Sequence, residues 1–161
     1  MKKIIFVILL TLVFFLGEYF IYNLCGNLFH PNLIVLLLIF LHVRIGFSYS
    51  LLAAFVGGVL KDSFSAGPWG SYLFTFVVCT FFITLLKSFL YQKGYAFSRL
   101  TMSASLSLVS VGLVYWLYLN KGVLNTPQNF NHILLSEVLS TTFLSFFTFH
   151  RLKQCALQLF V

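Results

Sequence analysis

The stretch GGVLKDSFSAGPWGSY, residues 57–72, sets a Lys–Asp pair and four glycines inside some of the most apolar sequence of the chain. It reads as the end of one helix, a break, and the start of the next. Gly57 and Gly58 let a helix backbone approach a neighbour closely. Asp62 and Ser63 carry side-chain oxygens that end a helix or accept from backbone N–H groups beyond it. Gly67-Pro68 interrupts helical continuity, and Gly70-Ser71 opens the next helix. The stretch therefore predicts a tight hairpin of two closely packed helices. Asp62 has two readings: it pins the turn, or it meets a partner as a charge.

The surroundings of the hairpin set its environment. The 161 residues are 60% hydrophobic and 8% charged, with a mean hydropathy of +1.00. A soluble domain carries roughly 25% charged residues, so this chain cannot cover a water-facing surface and reads as a single integral membrane domain over residues 1–161. The formal charge of +7 comes from ten basic residues scattered without a run. That pattern reads as topology signals and contacts with anionic headgroups, not as a nucleic-acid surface. The start, MKKIIFVILLTLVFFLG, resembles a signal peptide, but it has no small-residue cleavage site and its apolar run continues through Tyr22. It is expected to be an uncleaved first helix. Cys25, Cys79 and Cys155 form no CxxC, which argues against a disulfide framework or a zinc site.

Six apolar stretches mark candidate spans at about 4–24, 32–45, 47–61, 71–90, 100–119 and 132–149. The second and third are short for the roughly 20 residues of a spanning helix, and could join as one kinked span, leaving five. The basic residues decide. With six spans and the N-terminus inside, Lys2, Lys3, Arg44, Lys87, Lys93, Arg99, Arg151 and Lys153 are cytoplasmic, and only Lys61 and Lys121 lie outside. Five spans would move most of these basic residues outside and strand Arg44 within a span, against the positive-inside rule. The expectation is an all-α fold of six transmembrane helices with both termini cytoplasmic.

Polar residues are few enough to name. Ala53, Ala54, Gly57 and Gly58 form two overlapping small-xxx-small pairs. Ser103, Ser107 and Ser110 share a face of the fifth span, and Ser136, Ser140, Thr141 and Ser145 lie on the sixth. These faces suit helix packing within the chain or docking of another protein's helix. The three acidic residues, Glu18, Asp62 and Glu137, all fall toward the outer side of the six-span topology. Charges at such depth are paired, hydrated or functional. Two arrangements fit: a shared outer polar cluster of Glu18 and Glu137 with Lys61 or Lys121 as countercharge, or unrelated side chains reaching headgroup water or local backbone. His30, His42, His132 and His150 stand apart, with no HExxH, GxSxG, P-loop or DxxD motif. Neither an enzyme nor a cofactor is expected.

Residues 31–90 resemble the rod-shape-determining protein family MreD. The matching positions are Pro31 and Asn32 before a short apolar span, then Gly57, Gly58 and Asp62, then Ser65, Gly67 and Gly70. Lys61 departs from the family's more usual apolar residue before that aspartate, and a lysine there would partly neutralise it. The resemblance implies a non-enzymatic subunit of the bacterial cell-elongation machinery in the cytoplasmic membrane. Its partners would be MreC, the actin-like MreB, and the glycosyltransferase and transpeptidase of lateral-wall peptidoglycan. The implied fold is similar to the substrate-binding components of energy-coupling-factor vitamin transporters, and such a component is the alternative function.

Overall fold

The computed structural model describes residues 2–25, 29–65, 67–90, 97–120 and 135–145. The connections around Lys93 and Lys121, the flanks of the sixth apolar stretch, and the basic residues Arg151 and Lys153 lie outside the described residues. The chain forms α1 (Lys2–Cys25), α2 (Leu33–Arg44), α3 (Phe47–Phe64), α4 (Ser71–Leu90) and α5 (Phe97–Asn120). A sixth helix, α6, covers 135–145. Among the described residues there is no strand.

The short helix α2 is the centre. Every residue from Leu33 to His42 is buried, as a helix apolar on all sides requires. At about 1.5 Å per residue its 12 residues rise about 18 Å, well short of a bilayer core of roughly 30 Å. Helices α1, α3, α4 and α5 pack around it. Ile45 and Gly46 end it, both donating their N–H to the Leu41 carbonyl, at 2.8 and 3.0 Å. Gly46 then turns the chain with φ of 133°, a conformation that favours glycine. Helix α3 returns antiparallel to α2: Gly57 lies opposite Ile34, and the Ser50 hydroxyl donates to the Leu38 carbonyl at 3.1 Å. The second and third apolar stretches are therefore two helices and not one kinked span.

Small residues set the spacing of α3 from its neighbours. Ala53 and Ala54 are fully buried. A Cβ on Gly57 would sit 3.0 Å from Ile34 Cγ2 and 3.4 Å from Thr11 Cγ2. A Cβ on Gly58 would lie 2.5 Å from the Leu73 Cα, so α3 and α4 meet backbone to backbone. Asp62 does not end α3, which runs on to Phe64. The turn that follows closes when the Ser71 N–H and hydroxyl both donate to the Pro68 carbonyl, at 3.3 and 2.7 Å, with Gly70 at φ of 85°. A side chain at Gly67 would run into the Tyr118 phenol of α5. Between α5 and α6, Ser103 donates to Ser145 at 3.1 Å, and Ser107, Ser110, Ser140 and Thr141 are buried. The small and hydroxyl faces thus pack within the chain.

The expectation of six spans narrows here. Among the described residues three helices are long and apolar enough to cross a membrane, over Lys3–Cys25, Ser71–Ser88 and Thr101–Asn120. Helix α2 is too short alone, and α3 carries Lys61 and Asp62 in its last turn.

The tight α3–α4 crossing yields a paired test. Gly58→Ala places a methyl against backbone and is expected to destabilise by about 1–3 kcal/mol, read as a lower unfolding temperature in mild detergent. Gly112→Ala meets nothing within 4 Å and should be neutral or slightly stabilising, since alanine suits a helix better. Equal effects at the two sites would contradict the close approach.

Candidate functional site

A helix begins with backbone N–H groups that have no partner in its own turns. In α2 that end is buried, so other side chains must supply acceptors. Asn32 is the cap: its Oδ1 accepts from Val35 N at 3.3 Å. Glu18 of α1 reaches across, and its Oε2 accepts from Leu33 N at 3.1 Å. Thr141 of α6 accepts from the N–H of Asn32 itself at 3.0 Å. The Asn32 amide donates to Glu137 Oε1 at 2.8 Å. Pro31, directly before the cap, is buried.

Lys61 completes this centre. Its ammonium donates to Glu18 Oε1 at 2.5 Å, with the two side chains 16% and 8% exposed. It also lies over the Tyr72 ring, 5.0 Å from the centroid, and 5.7 Å from that of Phe76. The lysine therefore carries an ion pair on one side and aromatic faces on the other, a setting that suits a desolvated cation. It does not neutralise its sequence neighbour Asp62, because its partner is Glu18.

Asp62 closes a second helix end. Its two carboxylate oxygens accept from Tyr72 N at 3.0 Å and Leu73 N at 3.1 Å, in the first turn of α4. The side chain is only 2% exposed, which places it inside the hairpin. Glu18, Lys61, Asn32 and Glu137 thus form one network, while Asp62 belongs to another. Gly57, Gly58 and Gly67 are packing positions around the two, and Gly70 shapes the turn between α3 and α4. Lys121 lies outside the described residues.

The sequence allows a cluster of Glu18 and Glu137 with Lys61 as countercharge, but it leaves Asn32 and Thr141 outside that cluster. It had no signal for the Asn32–Glu137 and Asn32–Thr141 bonds, which join positions more than a hundred residues apart. The cap itself was readable, because an Asn directly before an apolar run is a helix-start pattern. His30 went unassigned in the sequence. It is half-buried with its ring 4.6 Å from that of Tyr22, and its pKa lies below the ordinary histidine value, first through burial and then through the Lys61 charge.

In chemical terms, each carboxylate of the chain is engaged by a helix end or its cap. Among the described residues no group of His, Cys, Asp and Glu is arranged to hold a metal. The structure thus defines an all-helical membrane protein whose acidic residues serve its architecture. The family model of the rod shape-determining protein MreD matches residues 1–153, and the chain belongs to that family. It is accordingly a membrane protein of the cell-shape system. No curated protein and no solved structure matches the chain. The family match does not favour the transporter-component alternative.

Two outcomes test this centre. Glu18→Gln leaves the Lys61 ammonium buried without its countercharge, at an expected cost of about 3–5 kcal/mol. Adding Lys61→Met should return part of that loss, measured as unfolding temperatures of the single and double variants; purely additive losses would remove the pair from the account. The second outcome is a pH response. The folded state favours neutral His30, so its contribution is complete above about pH 6.5 and is lost as pH falls through the lower folded pKa. Unfolding temperature should therefore fall below about pH 6.5, and His30→Gln should flatten the response.

Proposed function

We propose that this chain is a non-enzymatic scaffold subunit of the bacterial elongation complex in the cytoplasmic membrane. In this reading it has six spans with both termini cytoplasmic, and MreC is its main partner. MreB and the lateral-wall glycosyltransferase and transpeptidase are reached directly or through MreC. The observation that carries the reading is the family match along residues 1–153. The use of all three carboxylates at helix ends supports a structural role, since none is left as a general acid or base. The short α2 and the polar end of α3 are compatible with six spans if both lie within a domain enclosed by the longer helices.

Docking would use exposed faces, because Gly57, Gly58 and Asp62 are spent on internal packing. Helices α1 and α3 offer Leu16, Phe20 and Phe55, each more than half exposed. The test is purification of the tagged protein from its own host in mild detergent, with mass-spectrometric identification of what accompanies it. Recovery of MreC is expected, reduced by Phe20→Ala with Phe55→Ala while the chain itself accumulates normally. Recovery of ATP-binding-cassette subunits with a bound vitamin, and no MreC, would overturn the proposal.

A further inference from the structure

Charge is segregated along the bundle. The chain's three side-chain carboxylates are Glu18, Asp62 and Glu137. All of them stand at the end where α2 and α4 begin. At the opposite end, where α2 finishes and α3 starts, stand Arg44 and Lys87. Arg44, in the last turn of α2, is exposed, and Lys87, in the last turn of α4, is half-buried. No side-chain carboxylate of the chain remains for either.

His42 lies at the same end. It is 3% exposed, and its Nδ1 is buried with no hydrogen-bond partner, the one such side-chain atom among the described residues. Buried polar atoms without partners are rare and call for a cause. Helix α4, which carries Lys87 in its last turn, packs against α2 and brings a second cation to this end of the bundle. The His42 and Phe47 rings make a T-shaped contact with centroids 5.9 Å apart, and those of Phe47 and Phe81 are 5.3 Å apart. Phe81 and Leu85, one turn apart on α4, are 55% and 60% exposed. An apolar strip therefore runs along α4 away from a cationic rim.

A cation beside a helix C-terminus can simply complement the helix dipole, and Arg44 alone would need no further account. That explanation leaves the second cation, the unpartnered imidazole and the adjoining aromatic strip without a cause. We propose that this corner binds one anionic phospholipid. Its phosphate lies against Arg44 and Lys87 beside His42, and an acyl chain follows Phe47, Phe81 and Leu85. Charge complementarity selects the headgroup, and the length of apolar surface next to it selects a lipid over a soluble anion. This site lies at the far end from the helix caps and does not depend on the scaffold reading.

Native mass spectrometry of the intact protein in neutral detergent tests it, with titrations of dioleoylphosphatidylglycerol and dioleoylphosphatidylcholine. Wild type is expected to retain one phosphatidylglycerol in preference to phosphatidylcholine. Arg44→Gln with Lys87→Gln should weaken phosphatidylglycerol by about thirtyfold, and each single change by about fivefold, so the singles carry the test should the double variant not fold. Phe81→Ala should weaken both lipids several-fold and leave the headgroup preference. Three results would overturn the site: no headgroup preference in wild type, unchanged binding in the Arg44 and Lys87 variants, or an equal loss from Lys3→Gln, which would mark a diffuse basic rim.

Discussion

The buried amino end of α2 governs the arrangement of the other helices. A helix of 12 residues that is enclosed on all sides cannot bring its first N–H groups to water. Each unpartnered group in such surroundings costs several kcal/mol. Apolar packing cannot settle where α2 sits, because lipid tails offer its leucines nearly the same solvation as other helices do. The caps can. Glu18 binds Leu33 N, Thr141 binds Asn32 N, and Glu137 binds the Asn32 side chain, so α1 and α6 are held in register with the start of α2. Lys61 then brings in α3 by neutralising Glu18. One short helix thereby fixes the mutual depth of three others.

The α3–α4 hairpin repeats the device at closer range. Asp62 supplies both oxygens to the first turn of α4, and Gly58 lets the two backbones meet one turn earlier. The two are interdependent. An aspartate is short, so its carboxylate reaches backbone N–H groups only if the helices nearly touch, and they nearly touch only where a Cβ is missing. The Gly–Asp spacing in the sequence is thus one constraint expressed at two positions. Lys61, the adjacent residue, points around the helix to α1, which explains how a lysine can stand beside Asp62 without cancelling it.

Much of this was legible in the sequence, and the remainder was lost for a definite reason. Apolar runs gave α1, α2 and α4 to within a residue or two, because composition and breakers act locally. The hairpin turn at Gly67-Pro68 and Gly70-Ser71 was equally local. Asp62 was given two readings, and its position inside the hairpin, bonded to Tyr72 and Leu73, depends on the crossing distance that Gly58 permits. Of the two roles open to Asp62 at the end of α3, it takes the second: it accepts from backbone N–H groups beyond its own helix, which runs on to Phe64. What the sequence does not express is how Asn32 and Thr141 join the cluster of Glu18, Lys61 and Glu137, since these side chains come from different helices and nothing local links them. Segregation of charge was visible as a count, whereas the unpartnered nitrogen of His42 was not.

The same economy bears on function. Each of the chain's three carboxylates is committed to a helix end or to the residue that caps one. Among the described residues its exposed surface is largely apolar. Within a bilayer such apolar helix faces select partners by shape. Shape selection requires helices that keep their relative depth, since a face assembled from α1 and α3 is lost if one slides a turn against the other. The Glu18–Lys61 pair joins those two helices directly. On the scaffold reading proposed above, the buried caps act on function through the outer faces they hold in register, and damage at Glu18 would reach a partner on α1 and α3 without any contact between that partner and the carboxylate.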